Sequence, residues 1–171
     1  MILLVDGRSG SGKTEFATAL AAGTGAQLVR LDALYPGWGG LEQGSRAVVD
    51  LLTTGRWHRW DWATSSPAEW HSVDLEADLI VEGCGAISVA SVALADRAVW
   101  VELDAETRKR RALDRDGDMY APHWEEWASQ EAEYIAREHP SAIADEVIDG
   151  TDVSPAVARW RVVLDPARVE P

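Results

Sequence analysis

Positive charge is scarce in this chain: 16 Lys and Arg stand against 29 Asp and Glu, a net charge of −13 over 171 residues. A surface that lies along nucleic acid or an anionic membrane needs the opposite sign, so neither is an expected partner and a small molecule is. Cysteine is all but absent, and the single Cys84 cannot form an internal disulfide. Long apolar runs are missing too; none approaches the roughly 20 residues needed to cross a bilayer. Residues 1–5 are apolar but run straight into a glycine-rich stretch, without the layout of a secretory signal, so a reducing cytoplasm is the expected compartment. Repeats and low-complexity tracts are also lacking. With 46% apolar residues, the chain has the size and content of one domain, residues 1–171, with a real core. Tryptophan, in contrast, is plentiful at nine; core is the expected role of most, although Trp57, Trp60, Trp62 and Trp70 sit among polar neighbours and could line a pocket.

Apolar runs that end in an acid or a glycine predict buried strands at 2–5, 27–31, 79–81, 98–101 and 147–148. Helical spacing follows the glycine-rich stretch through Phe16, Ala17, Leu20 and Ala21, and recurs at about 43–53, 86–95, 105–116 and 122–138. Asp104 is placed to cap the helix from 105, and Pro122 fits the first turn of the next. The tail after Asp152 reads as helix in its first part, while 160–164 fits a helix end or a strand. Strands alternating with helices imply a five-stranded parallel sheet covered on both faces, a three-layer α/β/α fold. Ligands of such sheets bind beyond the carboxyl ends of the strands, where this chain carries Asp6, Asp32, Glu82 and Asp104.

The stretch Gly7-Arg8-Ser9-Gly10-Ser11-Gly12-Lys13-Thr14 follows the first strand and opens the first helix. Successive N–H groups of such a turn form a nest for anions, and the helix start adds its positive end. In this pattern the loop with Arg8, Ser9 and Glu15 binds nucleotide phosphates, Lys13 reaches the outer ones, and the Thr14 hydroxyl is a ligand of Mg²⁺. ATP and Mg²⁺ are therefore the expected cofactors of a P-loop NTPase fold.

The remaining strand ends bear on what is done with the nucleotide. Asp32, after the second strand, is placed to accept a proton from an attacking hydroxyl or to hold the metal shell. Glu82, where the third strand emerges, is the expected second metal acid. The residues Arg108, Lys109, Arg110, Arg111 and Arg115 put five cations into eight positions of an acidic chain. Arg108, Arg111 and Arg115 fall on one helical face, which suits the charge of a transferring phosphoryl group; Lys109 and Arg110 suit solvent. Arg59 and Asp61 are the expected substrate contacts within 56–62.

These strings together resemble the uridine kinase family and its pantothenate kinase relatives: Gly10 to Thr14, Asp32-Ala33-Leu34-Tyr35 after the second strand, Val81-Glu82-Gly83 after the third, and Arg111 with Arg115-Asp116 beyond the fourth. The resemblance implies that Asp32 activates the acceptor hydroxyl, that Tyr35 lines the substrate side, that Trp60-Asp61-Trp62 lies near the acceptor, and that 108–118 belongs to an arginine-bearing lid. The substrate-side segment is expected at about 33–72 and the lid at about 108–123. Two departures stand out. The stretch between residues 35 and 67 is too short for that family's full nucleoside-binding hairpin, and Arg115-Asp116-Gly117-Asp118 replaces its Arg-Gly-Arg-Asp ending.

The expected activity is ATP-dependent, Mg²⁺-assisted phosphoryl transfer to a hydroxyl of a small metabolite, with a uridine-like nucleoside as first candidate. Sugar, pantothenate-like and nucleoside monophosphate acceptors are alternatives. A regulatory nucleotide-binding module is another, although the Asn-Lys-X-Asp guanine-reading motif is missing.

Overall fold

The computed structural model describes residues 1–164; residues 165–171, the end of the expected domain, lie outside the described part. In chain order the elements are β1 (Ile2–Asp6), α1 (Lys13–Thr24), β2 (Gln27–Arg30), a 3-10 turn (Leu31–Ala33), α2 (Leu41–Thr54), β3 (Arg56–Asp61), β4 (Ser66–Ser72), β5 (Leu79–Glu82), α3 (Val89–Val92), β6 (Arg97–Glu102), α4 (Ala105–Tyr120), α5 (Trp124–Glu138), α6 (Pro140–Ile143), β7 (Glu146–Asp149) and α7 (Ser154–Leu164).

Five of the strands form a parallel sheet in the order β2-β5-β1-β6-β7. Side chains alternate across each strand, so β1 sends Leu3 and Val5 to one face and Leu4 to the other. Leu3, Val5, Ile80, Val99 and Val101 pack on Phe16, Ala17 and Leu20 of α1 and on Val157, Trp160 and Leu164 of α7. On the opposite face Leu4, Val29, Leu79 and Val81 meet Val48 and Leu51 of α2, Ala112 of α4, and Trp127 and Tyr134 of α5. Each fully buried Leu, Val or Phe contributes about 1.5–3 kcal/mol. The architecture is the expected three-layer α/β/α fold, and the tail from Ser154 through Leu164 is helix.

Two elements differ from expectation. The helix expected at 86–95 shrinks to Val89–Val92, opened by a Ser88–Ser91 capping box. Its first turns are lost because the N–H groups of Gly85 and Ile87 both donate to the Asp6 carboxylate, at 3.1 and 2.9 Å, which holds the chain before Ser88 out of helical geometry. The segment from Arg56 to Ser72, for which no strands were expected, forms a two-stranded hairpin of β3 and β4, with a bulge between His58 and Trp60. Cross-strand neighbours Trp57 and His71 stack at 4.5 Å, and His58 and Trp70 at 4.7 Å. The hairpin is poorly marked in the sequence because Ser65, at φ 50°, takes the left-handed turn position that a glycine or asparagine usually signals.

Asp6 also holds the Gly7 N–H at 2.6 Å and is fully buried, and burial pushes its carboxyl up to about 7 against the opposing pull of these hydrogen bonds. Its native pKa lies above the ordinary 3.8, so the native state holds a proton that the unfolded chain has lost. The stabilisation from that proton is complete below about pH 4 and disappears as pH rises through about 7. Denaturant titrations of the unaltered chain and Asp6→Asn should therefore show their stability gap moving in favour of asparagine by about 2–3 kcal/mol between pH 5 and 8. A gap independent of pH contradicts this.

Candidate active site

The loop after β1 opens into a helix start without a side-chain cap. Ser11 N–H closes a turn on the Arg8 carbonyl at 3.0 Å, Gly10 and Gly12 adopt φ of 79° and 102°, and α1 starts at Lys13 with no side-chain cap on its first N–H groups. Lys13 is buried. Burial works against its charge, but Cys84, Glu82, Asp32 and Glu131 around it together more than reverse this, and its ammonium is held above the usual range. Among the described residues, three buried side-chain polar atoms lack a hydrogen-bond partner: Ser11 Oγ, Glu82 Oε1 and Trp60 Nε1. The first two belong to this site, where an incoming ligand can satisfy them.

Thr14 and Glu82 are brought together, with the Thr14 hydroxyl donating to Glu82 Oε2 at 3.1 Å. Burial pushes the Glu82 carboxyl up, while Lys13, Thr14 and Arg30 pull it down. The sheet register sets Arg30 beside Glu82, with Nε 3.7 Å from the unpartnered Oε1. A threonine hydroxyl next to a carboxylate with a free oxygen fits Mg²⁺, which keeps most of its waters and needs few protein ligands. No group of three or more His, Cys, Asp or Glu able to hold a metal occurs among the described residues.

Asp32 sits in the 3-10 turn after β2 with its carboxylate exposed, and its charge acts on Lys13, Glu82 and Arg115. The Trp62 indole at the hairpin tip donates to the Asp32 carbonyl at 2.8 Å, which fixes that turn. Along one face of α4 the three arginines have different partners. Arg108 is buried and donates to the Leu103 carbonyl at 3.0 Å and the Ser9 carbonyl at 3.4 Å. Arg111 donates to the carbonyls of Gly150 and Thr151, at 2.7 and 3.3 Å, in the turn after β7. Arg115 makes a two-point pair with Asp116, and that pair raises its pKa.

Several expected contacts lie elsewhere. Tyr35 is in the core, not on the cleft wall; its hydroxyl donates to the Cys84 carbonyl at 2.8 Å and its ring meets Trp127 edge-on at 4.8 Å. Arg59 and Asp61 are engaged inside the hairpin, Arg59 by Glu69 at 2.7 and 2.9 Å and Asp61 by the Ala63 N–H at 2.9 Å. The charge of Arg8 faces Glu131, with Nε 3.0 Å from Oε2, and Ser9 gives its N–H to Glu131 Oε1 at 2.7 Å. Both groups are therefore turned to the back of the loop. Glu15 is exposed on the first turn of α1.

Sequence reasoning passed over Glu131, Gly150, Tyr120 and Trp38. Glu131 carried a signal, being the one acid in the spacing of Trp124, Trp127 and Tyr134, a stripe that packs inward. Gly150 carried none: a Cβ there would lie 1.9 Å from the Ser11 carbonyl oxygen, a closeness set by chain packing. Trp38 stacks on His123 at 4.5 Å and on Tyr120 at 5.3 Å and tilts against Trp62 at 5.0 Å, so it joins the end of α4 to the hairpin tip.

No protein-family model matches the chain, and no curated protein does. Solved structures do. A possible uridine kinase from Bacillus stearothermophilus is 20% identical, with a TM-score of 0.57 over 87% of this chain and 88% of that one. A sugar kinase from Janibacter is 15% identical, with a TM-score of 0.62 over 99% and 98%. Shikimate kinase from Acinetobacter baumannii is 15% identical, with a TM-score of 0.58 over 99% and 95%. At these identities the likeness is one of architecture: the chain has the α/β fold, with its five-stranded parallel sheet, that these small-molecule kinases share.

Proposed function

We propose that this protein is an ATP-dependent kinase that phosphorylates a hydroxyl of a small uncharged metabolite, with a uridine-like nucleoside as the first acceptor to test. The carrying observation is the meeting, at one loop mouth, of an uncapped helix start, the buried Lys13 ammonium, the Thr14–Glu82 pair with its free carboxylate oxygen, and the Asp32 carboxylate. Asp32 and Glu82 are then within electrostatic range of each other and of Lys13, which a solvent-facing set of turn residues does not require. The fold is that of proteins described as kinases of small hydroxyl compounds, which supports the same reading.

In this reading the loop N–H groups and Lys13 bind and orient the phosphates, and Thr14 and Glu82 hold Mg²⁺ directly or through water. Mg²⁺ supplies charge neutralisation at the phosphates when bound. Asp32 orients the acceptor hydroxyl and takes its proton. Arg115, within the electrostatic reach of Asp32, steadies the negative charge of the transferring group, and Arg111 holds the Gly150–Thr151 turn that packs on the loop.

The cations of the substrate side favour an uncharged acceptor. Arg46 pairs with Glu42, Arg59 is bound at two points by Glu69, and Arg56 lies over the Trp70 ring at 5.1 Å. A phosphate or carboxylate on the acceptor needs a converging cationic pocket, and these three are each engaged apart.

Three outcomes are expected. Asp32→Asn keeps ATP affinity within about twofold but lowers acceptor-dependent ADP release by about 10²–10⁴-fold; near-normal turnover removes Asp32 from the proton transfer. Glu82→Gln raises the Mg²⁺ concentration needed for ATP binding by about 10–100-fold and leaves Mg²⁺-free ADP binding nearly unchanged, as calorimetry in graded Mg²⁺ can check. In an ADP-release panel, nucleosides and neutral sugars outperform carboxylate-bearing acceptors and nucleoside monophosphates, whereas a preference for anions overturns the uncharged-acceptor assignment.

A further inference from the structure

Behind the loop, away from its mouth, lies a buried polar cluster that the proposed transfer does not use. Its centre is Ser9. The Ser9 N–H donates to Glu131 Oε1 at 2.7 Å, its carbonyl accepts from Arg108 Nη1 at 3.4 Å, and its hydroxyl accepts from Tyr120 at 2.9 Å. Every polar atom of this loop residue is thus taken by α4 or α5, two elements more than 90 residues further along the chain. Glu131 is 3% exposed; its other oxygen accepts from Arg8 Nε at 3.0 Å, and the Cys84 thiol lies 3.3 Å from Oε1. Burial favours the neutral acid, but Ser9, Arg8 and Lys13 hold the Glu131 pKa below its ordinary value, so it carries charge at neutral pH.

A carboxylate beside an anion-binding loop is electrostatically out of place. By Coulomb's law it repels the nucleotide phosphates and offsets part of the Lys13 charge. Its position makes sense if the geometry it imposes on the loop outweighs that repulsion. Tyr120 adds a second element. It follows the kink at Gly117 (φ 53°, ψ −134°) near the end of α4, and its ring stacks on Trp38 of the substrate side while its hydroxyl reaches Ser9. One side chain therefore touches both the phosphate loop and the acceptor side.

We propose that Glu131 and Tyr120 are positioning residues for nucleotide binding: through Ser9 they hold the phosphate loop in its anion-binding shape, and Tyr120 passes the placement of the lid to the loop. This rests on the reading of the loop as a nucleotide site. It assigns neither residue a contact with the nucleotide.

The sign of one measurement separates positioning from simple charge. Glu131→Gln removes a negative charge near the phosphates, so an acid without a positioning role yields tighter binding on substitution. Positioning yields the reverse, because the glutamine amide cannot accept from both Ser9 N–H and Arg8. Calorimetric titration with the β,γ-imido analogue of ATP and Mg²⁺, well below the thermal midpoint, is expected to show binding about 10-fold weaker in Glu131→Gln. Tyr120→Phe, which deletes one hydroxyl and keeps the ring on Trp38, is expected to weaken binding about 3–10-fold with a midpoint within a few degrees of the unaltered chain. Equal or tighter binding by Glu131→Gln overturns its role, and unchanged affinity in Tyr120→Phe overturns the link to the lid. If Glu131→Gln shows no cooperative unfolding transition, Tyr120→Phe decides alone. Failure of the unaltered chain to bind the analogue overturns the nucleotide reading itself.

Discussion

A loop that is to bind phosphate must keep several N–H groups unpaired, so its own hydrogen bonds can hold little of its shape. The surrounding chain does so by close backbone approach. A Cβ on Gly10 would stand 2.1 Å from the Arg108 carbonyl oxygen, and one on Gly150 stands 1.9 Å from that of Ser11. The loop is wedged between the first turn of α4 and the turn after β7, where side chains have no room. Asp6 fastens the Gly7 N–H and Glu131 the Ser9 N–H, two donors of the loop directed away from its mouth. The parallel sheet sets all these parts at one edge, because β1, β6 and β7 run side by side and deliver the loop, α4 and the last turn together.

The charge distribution follows from the same constraint. In an acidic chain, Lys13, Arg8, Arg30, Arg108, Arg111 and Arg115 gather around the loop, and none of the arginines is left without an acid or a carbonyl. Carbonyl partners matter for Arg108 and Arg111, since they hold a guanidinium in place without cancelling its charge. On the hairpin, by contrast, Glu69 takes both Arg59 and His71, and the ribbon presents paired charge and stacked rings. The two regions thus differ in kind: around the loop cations and acids interleave, while on the other side rings stack in a frame around Trp38.

That frame also links parts distant in sequence. Trp38 meets the hairpin tip through Trp62, the end of α4 and the turn after it through Tyr120 and His123, and α5 through Trp127. Gln130 of α5 donates to the Trp38 carbonyl at 2.8 Å and so fixes the backbone from which the ring projects. Aromatic contacts are tolerant of small shifts and individually modest, so such a frame can hold its members near one another without locking them.

By itself the sequence determined the strands of the sheet, the glycine-rich loop and the nearness of Thr14 and Glu82. Strand and helix are local periodicities, and Gly7 to Thr14 is a contiguous pattern whose chemistry follows from spacing along the backbone. Asp32 and Glu82 were legible for a related reason: a parallel sheet brings strand ends to one edge whatever the details of packing. Tertiary structure alone decided the rest. Tyr35 turned inward because Cys84 offers its hydroxyl a buried carbonyl, and Arg59 and Asp61 were taken up by a hairpin whose turn carries no glycine. Glu131, Tyr120 and Gly150 acquired their places from contacts across 111 to 139 residues of chain, such as Ser9 with Glu131 at a separation of 122. Such pairings depend on which helix faces meet once the layers have packed, and no local pattern encodes that.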